Sequence, residues 1–283
     1  MEHPMNVRAY LDRIGIKDQP PPDAATLQRL TYSHVTTVPW ENFSIYLDEP
    51  FDLSVEHLEK KIVGEKRGGT CWELTHLFGS LLTHLGYSVE LYSGATWSHR
   101  ESRFNPLHDH IVLSVTVPTD GSGPWLVDVG LGEGIRCPLV LADGMEAVDL
   151  GSTYRLVDDG DFMVVWKHDP EYGEPEPSYR FRPKPSIIEE FVGMYLYRST
   201  SPRSYFVRHW ICTLATDDGW IVLLDDRVSL PNQSAKRSMK DEGELRRTLR
   251  ELFRLELPSG RRVRTPAALE LSTPLGSSAV SEG

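Results

Sequence analysis

Three cysteines in 283 residues, Cys71, Cys137 and Cys212, are too few and too odd in number for a disulfide framework. No two stand in CxxC spacing, so no metal centre is expected, and the thiols suit a reducing compartment. No apolar stretch approaches the roughly 20 residues that span a bilayer. Residues 1–15 also lack a basic segment followed by an apolar one, so the expectation is a cytoplasmic protein with no membrane contact. Basic residues are in deficit, 30 against 41 acidic ones, and a net charge of −11 excludes a dedicated nucleic-acid surface while leaving room for a local basic pocket. No internal repeat is present.

What remains is an ordinary globular composition, long enough for a large core and two or three subdomains. Helical periodicity covers residues 7–14, 23–35 and 54–63, with Ser54 as an N-cap, and a fourth helix begins at Cys71. From about residue 88 the period changes to two, over 88–92, 110–117, 125–129, 153–157 and 162–166, which predicts a short-stranded antiparallel sheet or barrel. The Pro- and Glu-rich stretch 170–185 reads as a surface connection. Beyond it are expected a helix near 186–195, strands around 206–213 and 219–224, and a helix over 241–253, with the last dozen residues disordered.

The most informative stretch is Arg67-Gly68-Gly69-Thr70-Cys71-Trp72-Glu73. Leu74, Leu77, Phe78, Leu81, Leu82 and Leu85 then mark one helical face, and Gly86 stands where the C-terminal cap belongs. Cys71 thus opens a helix, where free backbone N–H groups and the macrodipole favour a thiolate. The competing reading is a buried structural cysteine. A nucleophilic thiol needs a base and a group to orient that base. His76 sits about 140° around the same helix from Cys71, and His84 lies more than two turns along, so neither faces the thiol. His110 opens an apolar strand. Asp128 lies in the next one, Trp125-Leu-Val-Asp-Val-Gly130, where an acid buried alone is costly. A hairpin closed over 118–124 puts His110 and Asp128 in the same phase, with His108 as a competitor. Taken singly, His110 reads equally as a core histidine and Asp128 as a salt-bridge partner.

These motifs resemble the arylamine N-acetyltransferase family. The resemblance rests on Arg67-Gly-Gly-Thr-Cys71-Trp-Glu73, Pro39-Trp-Glu-Asn42, the His110 strand, Val127-Asp-Val-Gly-Leu-Gly132 and Ser199-Thr-Ser-Pro-Arg-Ser-Tyr-Phe206. It implies an α+β fold with a cysteine-protease-like core. The parts implied are an N-terminal helical bundle (1–90) carrying the nucleophile, a central antiparallel β-barrel (91–185) carrying His and Asp, and a C-terminal α/β lid (186–283). It also implies a Cys71-His110-Asp128 triad and ping-pong transfer of an acyl group from acetyl-CoA, or another acyl-CoA, through an acyl-cysteine. The acceptor would be an arylamine, arylhydroxylamine or hydrazine. Two alternatives use the same three side chains: an amide synthase that closes a polyketide delivered by an acyl-carrier protein, and a thiol hydrolase. The sequence does not indicate an oligomeric state.

Thr70, Thr75 and Leu131 depart from the family pattern. Leu131 stands where a phenylalanine lines the pocket, so Thr70 and Leu131 are read as substrate-pocket positions with extra room at 131. Arg198, Arg203 and Arg208 are candidates for the coenzyme phosphates, with a solvated face as the competing reading. The cluster Arg261, Arg262, Arg264 carries the same two readings. Glu73 is expected to pair with Arg67, Trp40-Glu41-Asn42 to fix an interhelical loop, and Cys137 and Cys212 to be core thiols.

Overall fold

The computed structural model describes residues 5–266 except 120, 122, 172 and 234–236; the C-terminal segment expected to be disordered lies outside the described residues. The N-terminal helices start where small polar side chains satisfy free N–H groups. Asn6 caps Val7–Arg13, Asp23 caps Ala24–Val35 and Ser54 caps Val55–Leu58. The last of these runs on into a π-helical turn, Glu59–Gly64, which the sequence does not signal. The helix Cys71–His84 buries Leu74, Leu77, Phe78, Leu81 and Leu82 between the other helices and the sheet residues Leu113, Val115 and Val127. Gly79 brings it against the sheet, since a Cβ there would stand 3.3 Å from a Leu113 methyl. Truncating a side chain such as Leu77, fully buried, removes about 2–5 kcal/mol.

All pairings in the larger sheet are antiparallel, and it curls into a nearly closed barrel. Its strands run in the order Leu139–Val140, Trp125–Val127, His110–Thr116, Ser88–Ser98, Glu176–Ser186, Phe162–His168, Ser152–Asp159 and Glu146–Asp149, with Arg103–Phe104 beside Ser88–Ser98. The stretch expected to be a surface connection therefore holds a central strand, Glu176–Ser186. Tyr179 and Phe181 are buried in the barrel, and register shifts at 177/179 and 181/185, beside Pro177 and Pro185 and around Pro183, disguise the alternation. Residue 90 lies inside Ser88–Ser98, and residue 185 inside Glu176–Ser186.

A second sheet has the order Trp40–Glu41, Ile211–Thr216, Gly219–Leu224, Arg227–Ser229, Arg237–Ser238. Its first strand comes from the N-terminal part, with Trp40 opposite Thr213 and Glu41 opposite Cys212. Two residues are too short to show an alternation. The helix Glu242–Phe253, capped by Asp241, packs Leu245, Leu249 and Phe253 on this sheet. The 3₁₀ turn Ile188–Phe191 leads into the helix Val192–Thr200. The strand expected from residue 206 begins at Ile211, because Ser204 caps a helical turn, Tyr205–Arg208. Among the described residues no helix is long and apolar enough to cross a membrane.

Candidate active site

Gly68 and Gly69 bring the chain to Cys71 by close packing. A Cβ at Gly68 would run into the Pro39 carbonyl, and one at Gly69 would stand 2.9 Å from Glu73 Cβ. Charges buried below this turn are all paired. Arg67, fully buried, meets Glu41 at 2.9 Å and Glu49 at 3.1 Å. Glu73 pairs with Lys61 at 2.6 Å and not with Arg67, because the helical run into Gly64 brings Lys61 beneath the Cys71 helix. The second Glu73 oxygen accepts from Thr70 N–H at 2.8 Å and Thr70 hydroxyl at 3.0 Å. Asn42 ties the N-terminal part to the second sheet: its amide donates to Phe206 O and His209 O, and its oxygen accepts from Ile211 N–H. The Trp40-Glu41-Asn42 element thus fixes more than an interhelical loop.

His110, 1% exposed, begins its strand, and its Nε2 donates to Asp128 Oδ2 at 2.8 Å. The pairing Leu113 with Val127 places Asp128 on His110's phase one step beyond the ladder, where the strand has ended. There the second Asp128 oxygen accepts from Gly130 N–H at 2.9 Å. The His110 ring meets Tyr179 edge-on at 5.1 Å. His108 is turned elsewhere, against Phe191, with its carbonyl accepting from Trp72 Nε1.

Gly130 is the contact between this loop and the Cys71 helix. A Cβ on it would stand 2.8 Å from Cys71 Cα, 2.9 Å from Cys71 Cβ and 2.7 Å from Thr75 Oγ1. Its proximity to the nucleophile candidate is not deducible from spacing, because 59 residues separate the two positions. Cys71 itself is buried, with Sγ donating weakly to Asp109 O at 3.8 Å. Burial, Asp109 and Asp128 push its thiol pKa well above the ordinary value, outweighing the Trp72 N–H and Arg198. The direction is opposite to the lowering expected from the helix terminus alone.

Cys71 and His110 open onto one cavity of about 320 Å³, walled by Trp40, Leu131, Phe206 and Ile211. Leu131 lines it; Thr70 does not, both its donors being spent on Glu73. Arg198 lines it but is held by Asp109, with Nε donating at 2.7 Å, and Asp109 also accepts from Thr96 Oγ1. Arg203 and Arg208 are exposed outside it. Sequence reading missed Asp109, Gly130 and Glu133 at this cavity, none of which carries a periodic or capping signal. Cys212 is buried and Cys137 half-buried; burial pushes the Cys137 thiol up to about 11. Among the described residues no three His, Cys, Asp or Glu side chains gather to hold a metal ion.

Residues 23–262 match the family model described as N-acetyltransferase. The arylamine N-acetyltransferase of Mycolicibacterium smegmatis is 38% identical over 219 residues, covering 76% of this chain and 78% of that protein. Arylamine N-acetyltransferase 1 of Homo sapiens is 28% identical over 278 residues, covering 89% and 95%. Among solved structures, M. smegmatis arylamine N-acetyl transferase superposes with a TM-score of 0.85 at 31% identity, over 95% of this chain and all of that one. The Mycobacterium marinum arylamine N-acetyltransferase in complex with CoA gives 0.79 at 29% identity, over 88% and 93%.

Proposed function

The chain belongs to the arylamine N-acetyltransferase family and is an acetyltransferase whose acyl donor is acetyl-CoA, and from that premise we propose that it works through an acetylated Cys71. In this reading the Cys71 thiol attacks the thioester carbonyl of acetyl-CoA while His110 Nδ1 takes its proton. Collapse of the tetrahedral intermediate breaks the bond to the coenzyme sulfur, which leaves as the thiol with that proton. An arylamine, arylhydroxylamine or hydrazine then attacks the acetyl-cysteine, gives a proton to His110 and departs as the amide, and the proton returns to the Cys71 sulfur. Thioester exchange is nearly balanced; amide formation is the downhill step.

The observation that carries this reading is the 2.8 Å bond from His110 Nε2 to Asp128, with His110 lining the same cavity as Cys71. A carboxylate on Nε2–H leaves Nδ1 as the basic nitrogen and stabilises the imidazolium that forms. At the first helical position the Cys71 N–H has no acceptor within its helix and is suited to the developing oxyanion. Arg198, committed to Asp109, positions the segment facing the thiol, while the exposed Arg203 and Arg208 are available to coenzyme phosphates, as are Arg261, Arg262 and Arg264. We also assign the chain three parts, with the nucleophile on the helical 1–90, His110 and Asp128 on the barrel 91–185, and 186–283 covering the cavity through Phe206 and Ile211.

The test is intact-protein mass spectrometry after incubation with acetyl-CoA and a panel of longer acyl thioesters. The expected result is a single acetyl group on Cys71, absent in Cys71→Ala and discharged faster by added arylamine than by water. Undiminished acetylation of Cys71→Ala, or discharge indifferent to amine, overturns the reading. A preference for a bulky carrier-borne acyl group would instead support amide synthesis.

A further inference from the structure

Glu133 follows the Asp128–Gly132 loop and lines the same cavity as Cys71 and His110. The other two charged side chains on the cavity wall, Asp109 and Arg198, neutralise each other. Among the described residues Glu133 makes no hydrogen bond and no ion pair, and Lys167 acts on it only through space. The residue is exposed, and partial desolvation of its carboxyl pushes its pKa up. A molecule filling the cavity displaces more of its hydration. A bound molecule that covers the carboxylate leaves it short of a partner unless that molecule brings a cation.

We propose that Glu133 selects the acceptor: arylamines bearing a second, protonated basic group are preferred over neutral ones, and carboxylate-bearing arylamines are disfavoured. This rests on the amine-acetylating reading above. An ammonium within reach of Glu133 pairs with a carboxylate that has no other partner among the described residues, whereas a carboxylate meets a like charge in a partly desolvated space. Because Glu133 is free of structural partners, its replacement removes the charge without stranding another group.

The test uses three anilines with one saturated two-carbon spacer in the para position: 4-(2-aminoethyl)aniline, 4-ethylaniline and 3-(4-aminophenyl)propanoate. The spacer insulates the aryl nitrogen, so differences report on the remote charge. With acetyl-CoA as donor, kcat/KM is expected to fall in that order, spanning about tenfold or more from cation to anion. In Glu133→Gln the cation-to-anion ratio should collapse to within about threefold, and in Glu133→Lys it should invert. Unchanged ratios in both variants overturn the inference about Glu133 while leaving acetyl transfer intact. If wild type is acetylated but discharges to none of the three anilines, the amine-acetylating reading itself fails, and this inference with it.

Discussion

Replacing Gly130 by alanine adds one methyl group at the point where the Asp128 loop meets the Cys71 helix. Gly130 is not among the residues with positive φ, so the demand for glycine there is one of space and not of backbone conformation. The new Cβ would stand 2.8 Å from Cys71 Cα and 2.9 Å from Cys71 Cβ, where ordinary contact begins at 3.4 Å. Neither atom belongs to a flexible side-chain end, so loop and helix must separate by about half an ångström or more, at an overpacking cost of about 1–3 kcal/mol. The same loop holds Asp128, and through it His110, while the helix holds Cys71. Separating them opens the distance across which the proposed proton transfer runs, and misplacement approaching 1 Å costs on the order of 100-fold.

The expected outcome for Gly130→Ala is therefore a folded protein melting a few degrees lower, with kcat/KM for acetyl-CoA reduced about 100-fold. Coenzyme thiol release measures the activity and thermal unfolding the stability. Adding Thr75→Ala relieves the 2.7 Å clash with Oγ1 but not those with Cys71, so it should restore little. Gly130→Ala within about threefold of wild type in activity, with an unshifted midpoint, would refute the steric coupling of loop to helix.

Asp128→Asn keeps the side-chain shape but replaces the carboxylate that fixes the His110 tautomer; a fall of about 10³- to 10⁴-fold in kcat with near-native circular dichroism is expected, and full activity would remove Asp128 from the mechanism. His34 is fully buried, hydrogen-bonded through Nδ1 to Tyr10 hydroxyl, and burial lowers its pKa to about 3. The unfolded chain, with a histidine pKa near 6.5, binds the proton first as pH falls, so His34 favours folding at neutral pH and loses up to about 1.4 kcal/mol per pH unit below 6. Urea unfolding between pH 6.5 and 4.5 should accordingly show a shallower decline in His34→Gln than in wild type; parallel declines would contradict it.

Periodicity carried the elements whose burial is local. The face Leu74, Leu77, Phe78, Leu81, Leu82 is readable because a helix exposes every fourth residue to one environment, and the Cys71–His84 helix begins and ends where the sequence places it. The shared phase of His110 and Asp128 is readable because their strands are joined by a short connection. The strand Glu176–Ser186 escaped detection because its prolines and its two register shifts interrupt the alternation, so Tyr179 and Phe181 look like loop composition. Trp40–Glu41 escaped because a two-residue strand has no period.

By itself the sequence determined that a cysteine opens a helix, that a histidine and an aspartate share one face of a hairpin, and that helices are followed by short antiparallel strands. Each follows from side-chain repeats tied to backbone geometry over a dozen residues or fewer. Only the tertiary structure decided what surrounds them. It put Gly130 against Cys71, gave Glu73 to Lys61 in place of Arg67, closed Arg198 onto Asp109, left Glu133 unpaired in the cavity and raised the Cys71 thiol instead of lowering it. Those outcomes depend on desolvation and on charges that meet across long sequence separations, and both exist only once the chain has closed around the site.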